Sequence, residues 1–278
     1  MGNLYVVGTP IGNLGDLSPR AIEALSNCDF IAAEDTRVTM KLLNHFGIKK
    51  PLVSYFEHNK LERGEQICAR LAAGESACLV TDAGMPAVSD PGEDLVRLCR
   101  ENNLPVTVVP GPCAFVSALA LSGMPAKRFC FEGFLSVNKV SRREHLAQLK
   151  QEKRTMCFYE APHKLANTLK DMQETFGDRR IAIVREITKI HEEVIQTTLA
   201  RAAEAYRENP LKGEIVLIIE GAPEEQEEAQ TLSDAVEQAK RLMQKGISIS
   251  EAAKLAAKAS SFKKGEIYKE LLEEETDA

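Results

Sequence analysis

Short apolar runs separated by helix-like stretches place the tightest limit on what this chain can fold into. "LYVV", "FIAA", "ACLV" and "VTVV" recur through the first 110 residues, and segments of helical periodicity lie between them. Strands written as continuous apolar runs, with helices between, imply a parallel or mostly parallel sheet covered on both faces. The helix starts carry their own signals. Ser18-Pro19 supplies an N-cap and a proline at the first helical position. Asn59 reads as the N-cap of a helix that ends at Gly74, and Asp90-Pro91-Gly92-Glu93 as the start of another.

The pattern changes near residue 124. "RFCFEGF", "TMCFYE", "RIAIVRE", "HEEVIQTT" and "GEIVLIIEG" read as five strands with fewer helices between them, so a second α/β domain with a mixed sheet is expected over 124–221, after a first domain over 1–123. Residues 222–230, "APEEQEEAQ", are acidic and poor in apolar side chains and read as a linker. Residues 231–278 then hold three helical segments, the size of a small helix-turn-helix-like module.

Composition excludes several classes. No apolar run reaches the roughly 18–20 residues of a membrane-spanning helix. The seven Cys are dispersed without a CxxC pair, which fits a reducing cytosol better than a disulfide framework, and the five His lack metal-ligand spacing. A net charge of −6 argues against nonspecific coating of nucleic acid. Within that acidic chain, residues 138–154 carry six Lys/Arg against two Glu, a candidate phosphate-binding patch.

Three loops follow apolar strands and are rich in Gly and Pro: "VGTPIGNLGD" (7–16), "TDAGMP" (81–86) and "PGPCA" (110–114). Ligands of open α/β sheets sit beyond the carboxyl ends of the strands. Glycine admits close backbone approach, and proline fixes φ while leaving carbonyls on offer. A Rossmann site is excluded, because the first-loop glycines stand at 8, 12 and 15 with Pro10 among them; a Walker A sequence is absent too. Glu34 and Asp35 end the second apolar run.

Taken in order, "TPIGNLGD", "AAEDTR", "TDAGMPAVSDPG", "PGPCA", "FCFEGF", "YEAPHKL", "REITKIHEE" and "KGEIVLIIEG" resemble the tetrapyrrole methylase superfamily, and most closely its ribosomal RNA small-subunit cytidine 2′-O-methyltransferase branch. "AAKLAAKASSFKKGEIYKELL" resembles that branch's C-terminal module. The chain departs from the branch at Met85, where Thr is usual, and after Phe134, where "FLSVN" replaces a Pro-containing "FLP".

The resemblance implies two α/β domains with an S-adenosylmethionine cleft between them. By motif match, Pro10, the loop Asp82, Ala83, Gly84, Met85 and Pro86, and the loop Pro110, Gly111, Pro112, Cys113 and Ala114 would contact the cofactor. Tyr159 and Glu186 would close the other side. Methyl transfer to a ribose hydroxyl needs a proton acceptor. Glu34, Asp35, Asp82 and His58 are the candidates, and Asp35 matches the superfamily's acid–base position best. With ribosomal RNA or the small subunit as partner, Lys139, Arg142, Arg143, His163, Lys263 and Lys264 are the candidate RNA contacts. A cytoplasmic homodimer is implied as well. A tetrapyrrole methyltransferase and a non-catalytic nucleotide- or RNA-binding protein are the competing readings.

Overall fold

The apolar runs of the first half assemble into a five-stranded parallel sheet: β1 (Leu4–Val7), β2 (Phe30–Ala33), β3 (Leu52–Ser54), β4 (Ala77–Val80) and β5 (Val106–Val109), in the order β3-β2-β4-β1-β5. The computed structural model describes residues 1–209, 211–223 and 231–276. Every residue of β2 and β4 is buried, so these central strands show no polar alternation. β3 was not among the runs expected from sequence. It is three residues long and half-buried at the sheet edge, too short to show a period.

Helices α1 (Pro19–Asn27), α2 (Thr36–His45), α3 (Lys60–Ala72) and α4 (Glu93–Glu101) connect these strands. Ser18 caps α1 as expected, its Oγ accepting from the Ala21 N–H at 3.1 Å. Two other helix starts differ from expectation. The Asn59 side chain does not cap α3; it accepts from the Phe56 N–H at 2.8 Å and donates to the Ser54 carbonyl at 3.1 Å, closing the turn before the helix. Helix α4 begins after Gly92, two residues beyond Asp90, so Asp90 is not spent on a cap.

The second sheet contains β6 (Phe129–Phe134), β7 (Thr155–Glu160), β8 (Arg180–Arg185), β9 (Glu193–Thr198) and β10 (Ile215–Ile219), in the order β6-β7-β10-β8-β9. It is mixed: β6 and β7 run parallel, and the remaining pairs are antiparallel. Helix α5 (Ala114–Ser122), expected to close the first domain, packs on this second sheet. Its Ala118 and Leu119 lie in one apolar cluster with Cys157, Ala182, Val184, Val216 and Ile218. The change from the first α/β half to the second therefore falls before α5 rather than at residue 123. Helices α6 (Lys139–Gln148), α7 (Leu165–Phe176) and α8 (Leu199–Ala205) complete this half.

Both sheets belong to one unit, Met1–Ala222; a second unit is Pro223–Ala278. The second holds α9 (Leu232–Gln244), α10 (Ile249–Lys258) and α11 (Lys264–Thr276) around a core of small and branched side chains that includes Ala235, Ala239, Ala252, Ala256 and Ile267. Thr231 and Asp234 form a capping box at the start of α9. The expected linker lies mostly outside the described residues, at 224–230. Among the described residues, no helix is long and apolar enough to cross a membrane.

Candidate active site

The three Gly/Pro loops meet at the carboxyl ends of β1, β4 and β5, and backbone contacts lock them together. Thr9 and Gly84 exchange backbone hydrogen bonds at 2.9 and 3.2 Å, and the Thr9 hydroxyl donates to the Thr81 carbonyl at 3.1 Å. A Cβ built on Gly8 would stand 2.6 Å from the Gly111 Cα and 2.7 Å from the Met85 sulfur; one on Gly111 would stand 2.8 Å from the Gly8 Cα. Gly8 and Gly111 are thus required by each other. Gly111→Ala is expected to part the first and third loops and weaken cofactor binding by about tenfold or more, measured by calorimetry.

Between the ends of the two sheets lies a cavity of about 350 Å³, within the range of small-molecule sites. The first half contributes Ile11, Ala83, Gly84, Met85, Val88, Ser89 and Asp90. The start of α5 contributes Cys113 and Ala114. The second half contributes Phe134, Tyr159, Glu160, Ala161, Pro162, Ile187 and the segment Gly213–Val216. Of the expected cofactor residues, Ala83, Gly84, Met85, Cys113, Ala114 and Tyr159 line this space. Pro10, Asp82, Pro86, Pro110, Gly111 and Pro112 sit in the supporting loops and do not. Glu186 is a brace rather than a wall: its carboxylate accepts from the Glu214 N–H at 2.9 Å and pairs with Lys189 at 3.0 Å, fixing the Gly213–Glu214 segment that does line the cavity.

Carboxylates crowd the ends of β2 and β4. The Thr81 hydroxyl donates to Glu34 at 2.6 Å, and Asp82 accepts from the Asp35 N–H at 3.1 Å. Asp35, expected as the base, is committed elsewhere. It caps α2 by accepting from the Arg37 N–H at 2.8 Å, and the Arg37 guanidinium reaches its other oxygen at 2.6 Å. Those hydrogen bonds hold its carboxyl down to about 2, which makes it a poor proton acceptor. Neither Asp35, Glu34 nor the exposed His58, which sits edge-on to Phe56, lines the cavity. Asp90 does. Burial, and secondarily the charges of Glu34 and Asp82, raise its carboxyl above the ordinary range, with the neighbouring Thr81 hydroxyl opposing the shift. The Tyr159 phenol is pushed up to about 12, chiefly by burial.

Of the expected RNA contacts, Arg142 is corrected, while Arg143 is half-exposed and ion-paired. Arg142 is only 6% exposed: its Nε donates to Asp171 at 2.8 Å, and its Nη1 reaches the Ser136 and Val137 carbonyls. Arg143 bonds Asp171 at 2.7 Å and Glu174 at 2.5 Å. The basic run is not one solvated face; helical periodicity turns Arg142 inward with Leu146, onto α7. Lys139, His163, Lys263 and Lys264 are exposed.

Sequence reasoning missed Asp90, Val88, Phe134, Glu160 and Gly213–Val216. Asp90 reads as a helix cap, Val88 as part of the loop motif "TDAGMPAVSDPG", and the others as parts of strands. The motif "KGEIVLIIEG" carried a signal for the last of them, because its Gly-Glu pair opens a strand at the sheet end that faces the cavity.

The family model for tetrapyrrole (corrin/porphyrin) methylases matches residues 3–203. This chain belongs to the tetrapyrrole methylase family. It is a methyltransferase by that membership, and its relatives are specific about which kind. A Synechocystis protein named ribosomal RNA small subunit methyltransferase I is 45% identical over 100% of both chains. A Xylella fastidiosa protein of the same name is 46% identical, covering 96% of this chain and 98% of its own. Among solved structures, uroporphyrin-III-C-methyltransferase from Thermus thermophilus superposes with a TM-score of 0.57 at 18% identity, over 80% of this chain and 96% of its own. Cobalt precorrin-4 methyltransferase gives 0.59 at 17%, over 78% and 94%. At those identities the structures establish the tetrapyrrole methylase fold alone.

Proposed function

We propose that the chain transfers a methyl group from S-adenosylmethionine to the ribose 2′-hydroxyl of a cytidine in 16S ribosomal RNA. The observation that carries this reading is the 45% identity over the entire length, C-terminal helices included, to a relative named for the small-subunit RNA. The cavity fits the cofactor. Its lining is mostly apolar, with Gly84 and Gly213 among the lining residues, and of its carboxylates Asp90 has no ion pair among the described residues while Glu160 pairs with Lys164 and Glu214 with Lys189. Apolar walls suit an adenosine, and carboxylates suit a sulfonium and an ammonium. When bound, the cofactor supplies an electrophilic methyl on a positively charged sulfur.

The chain must present the hydroxyl in line and accept its proton. Asp90 is the carboxylate placed to take that proton, since it faces the cavity and no ion pair engages it among the described residues. Lys139, His163, Lys263 and Lys264 are the exposed groups for RNA phosphates. Replacing Lys139, Lys263 or Lys264 by Ala should flatten the log–log salt dependence of RNA binding by roughly 0.7–0.9 per lost contact. Arg142→Ala should leave that slope unchanged in whatever fraction folds. Binding isotherms across a salt series decide this.

The reading includes a homodimer in the cytosol. Its test is methyl transfer from labelled S-adenosylmethionine to small ribosomal subunits, free ribosomal RNA and small tetrapyrroles in parallel. Label in subunits or RNA is expected; label in a tetrapyrrole alone refutes the reading.

A further inference from the structure

The mouth of the cavity combines two features that pull in opposite directions for an RNA substrate. Asp90, Glu160 and Glu214 line it, Glu160 paired with Lys164 and Glu214 with Lys189, and the lining holds no Lys, Arg or His to grip a phosphate. Large apolar side chains nevertheless stand open to solvent at the same place. Phe134 is 57% exposed and Val88 45% exposed, and both line the cavity. An exposed aromatic ring at the end of a strand loses hydrophobic stabilisation unless something covers it.

The Phe134 ring is held in place. The Tyr159 ring stands 5.3 Å away and tilted, and the Lys164 ammonium lies 5.5 Å from the Phe134 centroid. Lys164 is itself fixed, donating to the Leu135 carbonyl at 3.2 Å and pairing with Glu160 at 3.0 Å. The ring is therefore braced by protein yet more than half open, at the rim of a site lined by no Lys, Arg or His.

A ribose hydroxyl reaches a concave site only if its nucleotide leaves the strand it is stacked in. No cationic side chain lines the cavity to hold that nucleotide by its phosphates. The neutral, flat face of the base is the part left to hold. Resting on the function proposed above, we propose that Phe134 is the stacking platform for the base of the target nucleotide, with Val88 as an apolar neighbour at the same rim. Phe134 is then a positioning residue: it orients the nucleotide and takes no part in the bond changes.

The test is a cycle between protein and substrate. Methyl transfer is measured for wild type, Phe134→Ala and Phe134→Trp on RNA or subunits carrying the normal target nucleotide. The same three proteins are then measured on a substrate in which that nucleotide keeps its ribose but lacks its base. Base–aromatic stacking converts to roughly a 5- to 150-fold loss of kcat/KM for Phe134→Ala on the normal substrate, with Phe134→Trp near wild type. On the abasic substrate the wild type falls and the difference between proteins disappears. Cofactor affinity by calorimetry stays within a few fold throughout, which also shows that the variants fold. Equal penalties on both substrates, no penalty on either, or a loss confined to cofactor affinity overturns the stacking site while leaving the function intact. A wild type that methylates no ribosomal RNA overturns the function and the site with it.

Discussion

Asp90→Asn is expected to slow methyl transfer by about 10²–10⁴-fold, the usual cost of losing a general base, while cofactor affinity changes little. The amide keeps the size of the carboxylate but accepts no proton. Asp35→Asn supplies the contrast. Asn is a good N-cap, the exposed Arg37 loses only a surface partner, and turnover should stay within about tenfold of wild type. The two variants separate the position favoured by resemblance from the one favoured by geometry. The pH dependence carries the same distinction. Asp90 must be ionised to accept a proton, and its carboxyl lies above the ordinary 3.8 because of burial. The rate should therefore fall as pH drops through that raised value, and Asp90→Asn should abolish the acid limb along with most of the rate. Single-turnover rates for both variants across pH measure it. A full acid limb retained in Asp90→Asn, or a collapse of rate in Asp35→Asn, would return the role to Asp35.

Asp171→Ala is expected to destabilise the Met1–Ala222 unit by about 3–5 kcal/mol, the cost of leaving a buried charge without its partner. Asp171 is 3% exposed and binds Arg142 and Arg143 at once, Arg142 being nearly as buried. Removing the carboxylate strands the Arg142 guanidinium between α6 and α7. Asp171→Ala combined with Arg142→Met should recover part of the loss, because it removes the stranded charge as well. Burial opposes ionisation of Asp171, but hydrogen bonds from Arg142 and then Arg143 outweigh it and leave the carboxyl below 3.8. A carboxyl lowered in the folded state stabilises fully above the unfolded value. That contribution is lost as pH falls below about 4 and through the folded value. Urea unfolding at neutral and acid pH should show the wild type losing stability on acidification more steeply than the double variant does. A neutral-pH cost for Asp171→Ala under about 1 kcal/mol would mean that the pair contributes no more than a surface bridge.

How much of the fold and the site was legible in the sequence depends on how local each signal is. β2 and β4 announced themselves because a central parallel strand is apolar on both faces, so four residues suffice. β3 did not, since a three-residue edge strand is recognisable only by its pairing with β2. The mixed second sheet was readable as strands. The allegiance of α5 was not, because "AFVSALALS" is apolar on most sides and nothing local says which sheet it covers. The three Gly/Pro loops gather at one end of the sheet, beside the cavity. Their glycines were assigned to ligand contact, however, and in Gly8 and Gly111 the demand comes from another loop 103 residues away in the chain. Asp90 and Arg142 failed for the same reason in opposite directions. Asp-Pro-Gly-Glu reads as a helix start, and the helix begins two residues late, freeing the acid for the cavity. A run of Arg and Lys reads as a solvated patch, and an acid on α7, remote in sequence, draws one of them inside.

The most direct test of the central claim is to map the methyl group. The purified chain is incubated with S-adenosylmethionine and small ribosomal subunits that lack the modification, and the RNA is then hydrolysed in alkali, which cannot cleave beside a methylated 2′-oxygen. One new alkali-resistant linkage, at a cytidine and dependent on both cofactor and protein, is the predicted result. Methyl found on a base, or on a tetrapyrrole with the ribosomal RNA untouched, would contradict the account.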